Sequence, residues 1–140
     1  MLRIAIALAS FAIVACAHGP KTNEVVFKAG NGRKITARDR VSSATFCSTC
    51  GENASVTIGF GTPPRVSLAI PLCYPHAHSK IGDHDKISVE LVDGHIAATE
   101  GQLDIEDCTT KHLTAKLWSV FPDGTRIDAR IDTELQNPAK

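Results

Sequence analysis

The sequence has no surplus of charge to offer a polyanion, since fifteen Lys and Arg stand against fifteen Asp and Glu. Nucleic-acid binders carry a basic excess, so that class is set aside, and an anionic lipid surface is an equally poor electrostatic match. Aromatic residues are scarce, with one Trp, one Tyr and five Phe, and a core must be built from aliphatic side chains. Beyond residue 15 no apolar run approaches the roughly 20 residues that a membrane-spanning helix needs. No stretch past that point keeps a helical period over about eleven residues. Assembled catalytic signatures are missing too. The chain has no Gly-x-Ser-x-Gly elbow and no His-Glu-x-x-His pair. Gly59-Phe60-Gly61 lacks the Lys-Ser/Thr and the following helix of a phosphate loop. Asp104, Glu106 and Asp107 read as the acidic rim of a strand rather than a catalytic pair. The chain is therefore expected not to be an enzyme.

Order appears at the N-terminus. Met1-Leu2-Arg3 places one positive charge ahead of an apolar stretch from Ile4 to Ala15 that only Ser10 interrupts. A short basic start, an apolar segment of this length and small residues at its end form the pattern of a secretory signal. Ile13-Val14-Ala15-Cys16 resembles the lipobox of bacterial lipoproteins: an aliphatic residue, a tolerant position, a small residue and a cysteine. The resemblance covers residues 1 to 16 alone. It implies that Cys16 is acylated and becomes the mature N-terminus, and several acyl chains anchor a protein stably where one does not. It also implies, because Ala17 rather than Asp follows the cysteine, an outer-membrane address facing the periplasm. The expected organisation is a lipoprotein signal peptide over 1–15, a lipidated tether over 16–23, a folded domain over 24–136 and a tail over 137–140.

Four further cysteines remain: Cys47, Cys50, Cys73 and Cys108. An even number in an exported domain reads as two disulfides, because that compartment is oxidising. Three pairings are open. Cys47–Cys50 with Cys73–Cys108 is preferred, since Cys73 and Cys108 each follow an apparent strand. The Cys47-Ser48-Thr49-Cys50 motif has no helix behind it to lower a thiol pKa, which argues against redox catalysis. Zinc held by the four cysteines would need two close pairs, and Cys73 and Cys108 are not one.

The rest of the chain alternates with period two. Val25 to Lys28 and Lys34 to Ala37 flank Asn31-Gly32, a strong hairpin signal. Val56, Ile58 and Phe60 share one strand face, as do alternate residues of Val66 to Ile70 after Pro63-Pro64 and of Lys86 to Leu91 before Asp93-Gly94. His95 to Ala98 and Gln102 to Glu106 are two more strand candidates. Leu113 to Ser119 and Arg126 to Asp132 bracket Pro122-Asp123-Gly124, with Ile127, Ala129 and Ile131 inward and Arg126, Asp128, Arg130 and Asp132 outward as solvated, edge-protecting charges. These signals predict an all-β fold, an antiparallel β-sandwich of immunoglobulin-like or jelly-roll-like kind, with about seven to nine short strands and disulfide stabilisation.

Pro71 to Asp85 is the longest stretch without a strand signal, and it holds most of the candidate chemistry. His76 and His78, two apart, would point the same way if the backbone is extended. With His84 they would present imidazoles to Zn²⁺ or Cu²⁺, or titrate together near pH ~6.5. Asp83-His84-Asp85 does not fit a calcium loop. Trp118 and Tyr74, single residues of their kinds, are candidate partner anchors, and Trp118 lies on the face opposite Leu117. The function expected from all this is a non-enzymatic cell-envelope binding or structural module, with an envelope protein, a peptidoglycan-related ligand or a small molecule as partner. An inhibitor or immunity lipoprotein that blocks a hydrolase or toxin through the Pro71–Asp85 segment is the first alternative. A metal-binding protein using the histidine segment is the second.

Overall fold

The computed structural model describes residues 19–31, 34–48, 55–71, 73–82 and 87–137. Among the described residues ten strands form: β1 (Glu24–Lys28), β2 (Ile35–Cys47), β3 (Ser55–Phe60), β4 (Val66–Ile70), β5 (Ala77–Ile81), β6 (Ser88–Leu91), β7 (Ile96–Ala97), β8 (Glu100–Cys108), β9 (His112–Val120) and β10 (Arg126–Glu134). Among the described residues there is no helix. The all-β, antiparallel, disulfide-bearing architecture is as the alternation predicts. The two packed sheets of a sandwich are not what forms. All ten strands join in one sheet, in the order β5-β8-β9-β10-β1-β2-β3-β4-β6-β7.

The sheet stays continuous because β2 serves two sets of neighbours. Its first half, Ile35 to Arg40, pairs with β1, and its second half, Val41 to Cys47, pairs with β3. The register slips between Phe27 and Lys28 and again between Val41 and Ser43. Bulges of this kind bend a strand and increase its twist. The sheet therefore curls into a half-barrel along β2. The connections say the same. β7 is one margin of the sheet and β8 lies next to the other, yet only Ala98 and Thr99 separate them in the chain. Three residue steps span about 11 Å at most, so the two margins must come near each other.

Curling places both halves on one core. Val25, Phe27, Leu103, Ile105, Leu113, Leu117, Ile127 and Ile131 from one half pack in the same cluster as Val56, Ile58, Phe60, Leu68, Ile70 and Val89 from the other. The inward faces read from alternation, Val56-Ile58-Phe60 and Ile127-Ala129-Ile131, are buried as expected. Each fully buried aliphatic side chain is worth roughly 1.5–3 kcal/mol against exposure, so this aliphatic cluster is the main stabilising contribution.

Two strands differ from the sequence reading. β2 runs on to Cys47, well past Ala37, and Ala44 is its one fully inward residue, so no apolar alternation marks its second half. β5 lies inside the segment expected to be irregular. It pairs with β8 from Ala77 opposite Ile105 to Ile81 opposite Gly101. The Cys73–Cys108 disulfide, Cα atoms 5.9 Å apart, ties the chain entering β5 to the end of β8. The described part of the segment is thus fastened to the sheet from Cys73 through β5.

The first strand is fastened by a side chain. Asn23, in the left-handed region at φ 59°, donates from Nδ2 to the Asp132 carbonyl at 2.7 Å. It accepts from the Asp132 amide at Oδ1, also at 2.7 Å. Asn tolerates this backbone conformation better than other residues with a side chain. Its amide thus imitates one more rung of the β1–β10 ladder. At the other end, the chain after β10 rejoins β2, with Gln136 donating to the Ala44 carbonyl and accepting from Phe46.

Asn23→Ala is expected to lower unfolding free energy by about 1–2 kcal/mol, as two modest hydrogen bonds are lost at a solvated site. A shift of the urea midpoint at unchanged slope would show it. The double substitution Cys73→Ala/Cys108→Ala, opening a loop of 35-residue separation, is expected to cost about 3–4 kcal/mol in the chain-entropy account. Amide exchange should rise first in β5.

Candidate functional site

Cys16, Cys50 and His84, with Asp83 and Asp85, lie outside the described residues. Of the other sites read from the sequence, Cys73 and Cys108 form the expected bond. Cys47, at the end of β2, is also disulfide-bonded. His76 occupies a turn at φ 57°, so the extended geometry that would align it with His78 does not hold there. His78 is on β5, 75% exposed, with Nδ1 2.7 Å from Asp104 Oδ1. Two other exposed histidines make similar pairs, His95 with Glu90 and His112 with Asp132. Among the described residues no three His, Cys, Asp or Glu side chains come together as a metal shell.

The outer face of the β5–β2 half holds a more developed arrangement. Antiparallel register lines up Lys80, Gln102, Trp118, Asp128, Val26 and Arg38 as one row across six strands. Directly opposed side chains in such a row sit about 4.5–5.5 Å apart at Cβ, with diagonal neighbours still within reach of long side chains. The Arg126 guanidinium, diagonal to Trp118, lies over the indole at 4.8 Å from its centroid. Arg126 donates from Nη2 to Asp128 Oδ1 at 3.0 Å, and Lys28 Nζ approaches Asp128 Oδ2 at 2.7 Å. Beneath these groups Val26 is wholly buried, although it points away from the main core.

This corrects the reading of β10 as an edge-protecting strand. β10 sits between β9 and β1, inside the sheet. Arg126 and Asp128 are therefore mid-sheet groups, Arg126 over the Trp118 ring and Asp128 directly opposite both Trp118 and Val26. Burial pushes the Asp128 carboxyl up, but hydrogen bonds from Arg126 and Lys28 outweigh it and hold the group below the ordinary 3.8.

On the other side of Trp118 the face opens into a cleft of about 420 Å³, bounded by Lys80, Gly82, Glu100, Gly101 and Gln102. Two glycines on its border let neighbouring backbones come close. At Gly101 a Cβ would strike the Trp118 carbonyl and come within 2.8 Å of the Ser119 Cβ. At Gly82, φ is +95° and a Cβ would meet the Thr99 carbonyl at 2.5 Å. Only glycine fits either place, and glycine in a strand marks close approach of a backbone or a ligand. Arg126 comes from β10 while the cleft is built on β5 and β8, so Trp118, on β9, lies between the strand that carries the cation and the strands that carry the cleft. A second, smaller hollow of about 230 Å³ lies by Thr22, Lys116, Arg130 and Asp132, where Lys116 is already paired with Glu106 at 2.8 Å.

Trp118 was the one part of this site that the sequence singled out. No protein-family model matches the chain, and no curated protein or solved structure is significantly similar to it. The site has to be judged on its chemistry. The arrangement sets an indole held by Arg126 beside side chains that can donate and accept hydrogen bonds.

A carboxylate whose folded pKa is lowered stabilises fully above its unfolded value and loses that contribution as pH falls through the folded one. Asp128 should therefore add to stability above about pH 3.8 and progressively less below it. Asp128→Asn is expected to flatten that acid limb in urea midpoints measured at stepped pH. It should also shift Trp118 emission as Arg126 loses its partner.

Proposed function

We propose that this protein is a non-enzymatic lipoprotein of the cell envelope, anchored in the membrane through Cys16, whose β domain acts as a binding module. The observation that carries the reading is the braced Trp118 beside an open polar cleft on a stiff sheet. Binding sites are concave, partly apolar and supplied with a few convergent polar groups, and this one has each of those properties. The disulfide between Cys73 and Cys108 supports an exported address, since such bonds persist where the surroundings are oxidising. The lipobox-like Ile13 to Cys16 points to the same compartment, an outer membrane with the domain facing the periplasm. The curled sheet serves as a sandwich would, giving two halves packed on one core and an outer face free for a ligand.

Intact mass of protein taken from native membranes tests the anchor. A lipid adduct on Cys16 and no free thiol is the expected result, and Cys16→Ser should move the protein to the soluble fraction. An unmodified Cys16 in a protein that never partitions to membranes would overturn the anchor. A metal ion that copurifies and disappears on substituting His76, His78 and His84 by Ala would transfer the function to the histidine segment.

A further inference from the structure

The cleft beside Trp118 allows a narrower statement than binding in general. We propose that it takes a saccharide, with one pyranose ring stacked against the indole of Trp118 and its hydroxyls met by Gln102, Glu100, Lys80 and Thr99. The proposal rests on the binding-module reading and names the class of ligand for it.

A pyranose has an apolar face of C–H bonds and a rim of hydroxyls that both donate and accept. The negative face of an aromatic ring attracts the positively polarised C–H edge. The rim needs a mixed set of partners, and the cleft supplies one. Gln102 uses its amide nitrogen on Asp104 at 2.7 Å, which leaves its carbonyl as an acceptor. Thr99 donates its hydroxyl to the Val120 carbonyl at 3.3 Å, which leaves lone pairs to accept. Glu100 accepts and Lys80 donates, and both are exposed at the cleft.

Competing ligand classes fit less well. A nucleotide or other polyanion would bring its charge against Glu100 with Lys80 as the one cation lining the cleft among the described residues, on a chain of zero formal net charge. A protein partner buries about 800 Å² on each side in a stable complex, whereas a cleft of about 420 Å³ suits one or two sugar rings. Size and charge both point to a small uncharged polar ring. Bracing by Arg126 matters here as well, because an indole already held in place loses little freedom when the ligand arrives.

Trp118 is the single tryptophan of the chain, so its emission reads this site and nothing else. The probe is chitotetraose, a soluble oligomer of N-acetylglucosamine, titrated into the folded domain. A saturable change in Trp118 emission is expected. By calorimetry Trp118→Ala should weaken binding roughly tenfold or more, Trp118→Phe should lose less, and Glu100→Ala and Gln102→Ala should each weaken it several-fold. Glu100 is exposed, so its substitution keeps the result readable if the tryptophan variant folds poorly. No saturable change up to roughly 10 mM would overturn the proposal. So would calorimetric binding that Trp118→Ala leaves intact, or emission that responds to anionic phospholipid vesicles and not to the oligosaccharide. In each case the membrane anchor stands or falls on the Cys16 mass, a separate measurement.

Discussion

Everything in this domain depends on one strand having to satisfy two sets of neighbours. β2 gives its first six residues to β1 and its remainder to β3. Backbone amides and carbonyls demand partners wherever water is excluded, so the strand cannot break between the two halves without leaving groups unmet. It bends instead, at the two register slips that flank the junction. Bending turns the inner faces of both halves toward each other. The aliphatic residues then meet in one cluster, and a chain with few aromatics gains a core large enough to hold it together.

How far the sequence revealed this follows from what each strand buries. β3 and β4 carry strict apolar alternation because one face of each is sealed in the core, and Val56, Ile58, Phe60, Val66, Leu68 and Ile70 are all wholly buried. β9 and β10 are legible for the same reason. The second half of β2 is not, because Ala44 is its one buried residue and Val41 and Phe46 are only partly covered. β5 hides behind small side chains. Ala77 and Ser79 give no hydrophobic signal, and the strand is specified by its pairing with β8 and by Cys73–Cys108. Those determinants come from distant parts of the chain, and local periodicity does not register them. The single sheet in place of two is a failure of the same kind, since alternation reports which face is inward and not where a strand's neighbours change.

The Trp118 site was legible in one residue out of several. An unpaired aromatic on a strand face opposite Leu117 is visible in the sequence, and so are the charges of β10. Their relation is not. Arg126 reaches Trp118 by a diagonal contact set by the β9–β10 register, and Asp128 faces the same indole directly. The charges looked like edge protection because local sequence does not say that β10 has a neighbour on each side. Gly82 and Gly101 carry no signal of their own either. They become informative once the backbones of Thr99 and Trp118 are seen to lie where side chains would have been.

The energetics of that outer face tie the setting of Trp118 to the stability of the sheet. Exposed ion pairs contribute little, about 0–1 kcal/mol each, and most of the pairs here are exposed. Asp128 is different, because its little-exposed side chain meets two cations, Lys28 and Arg126. Removing either cation would leave a largely buried carboxylate short of a partner, and the buried Val26 beneath would lose part of its roof. The group that positions Trp118 is thus also a group the fold needs. Holding Trp118 in place and stabilising the sheet are in this way coupled through one carboxylate. Coupling also limits movement, since an indole pinned by a mid-sheet cation on β10 gives the cleft a fixed wall rather than a mobile one. On the cleft side of Trp118 the exposed Lys80 and Glu100 make no ion pair among those of the described residues, so the fold leans on them less than on Asp128.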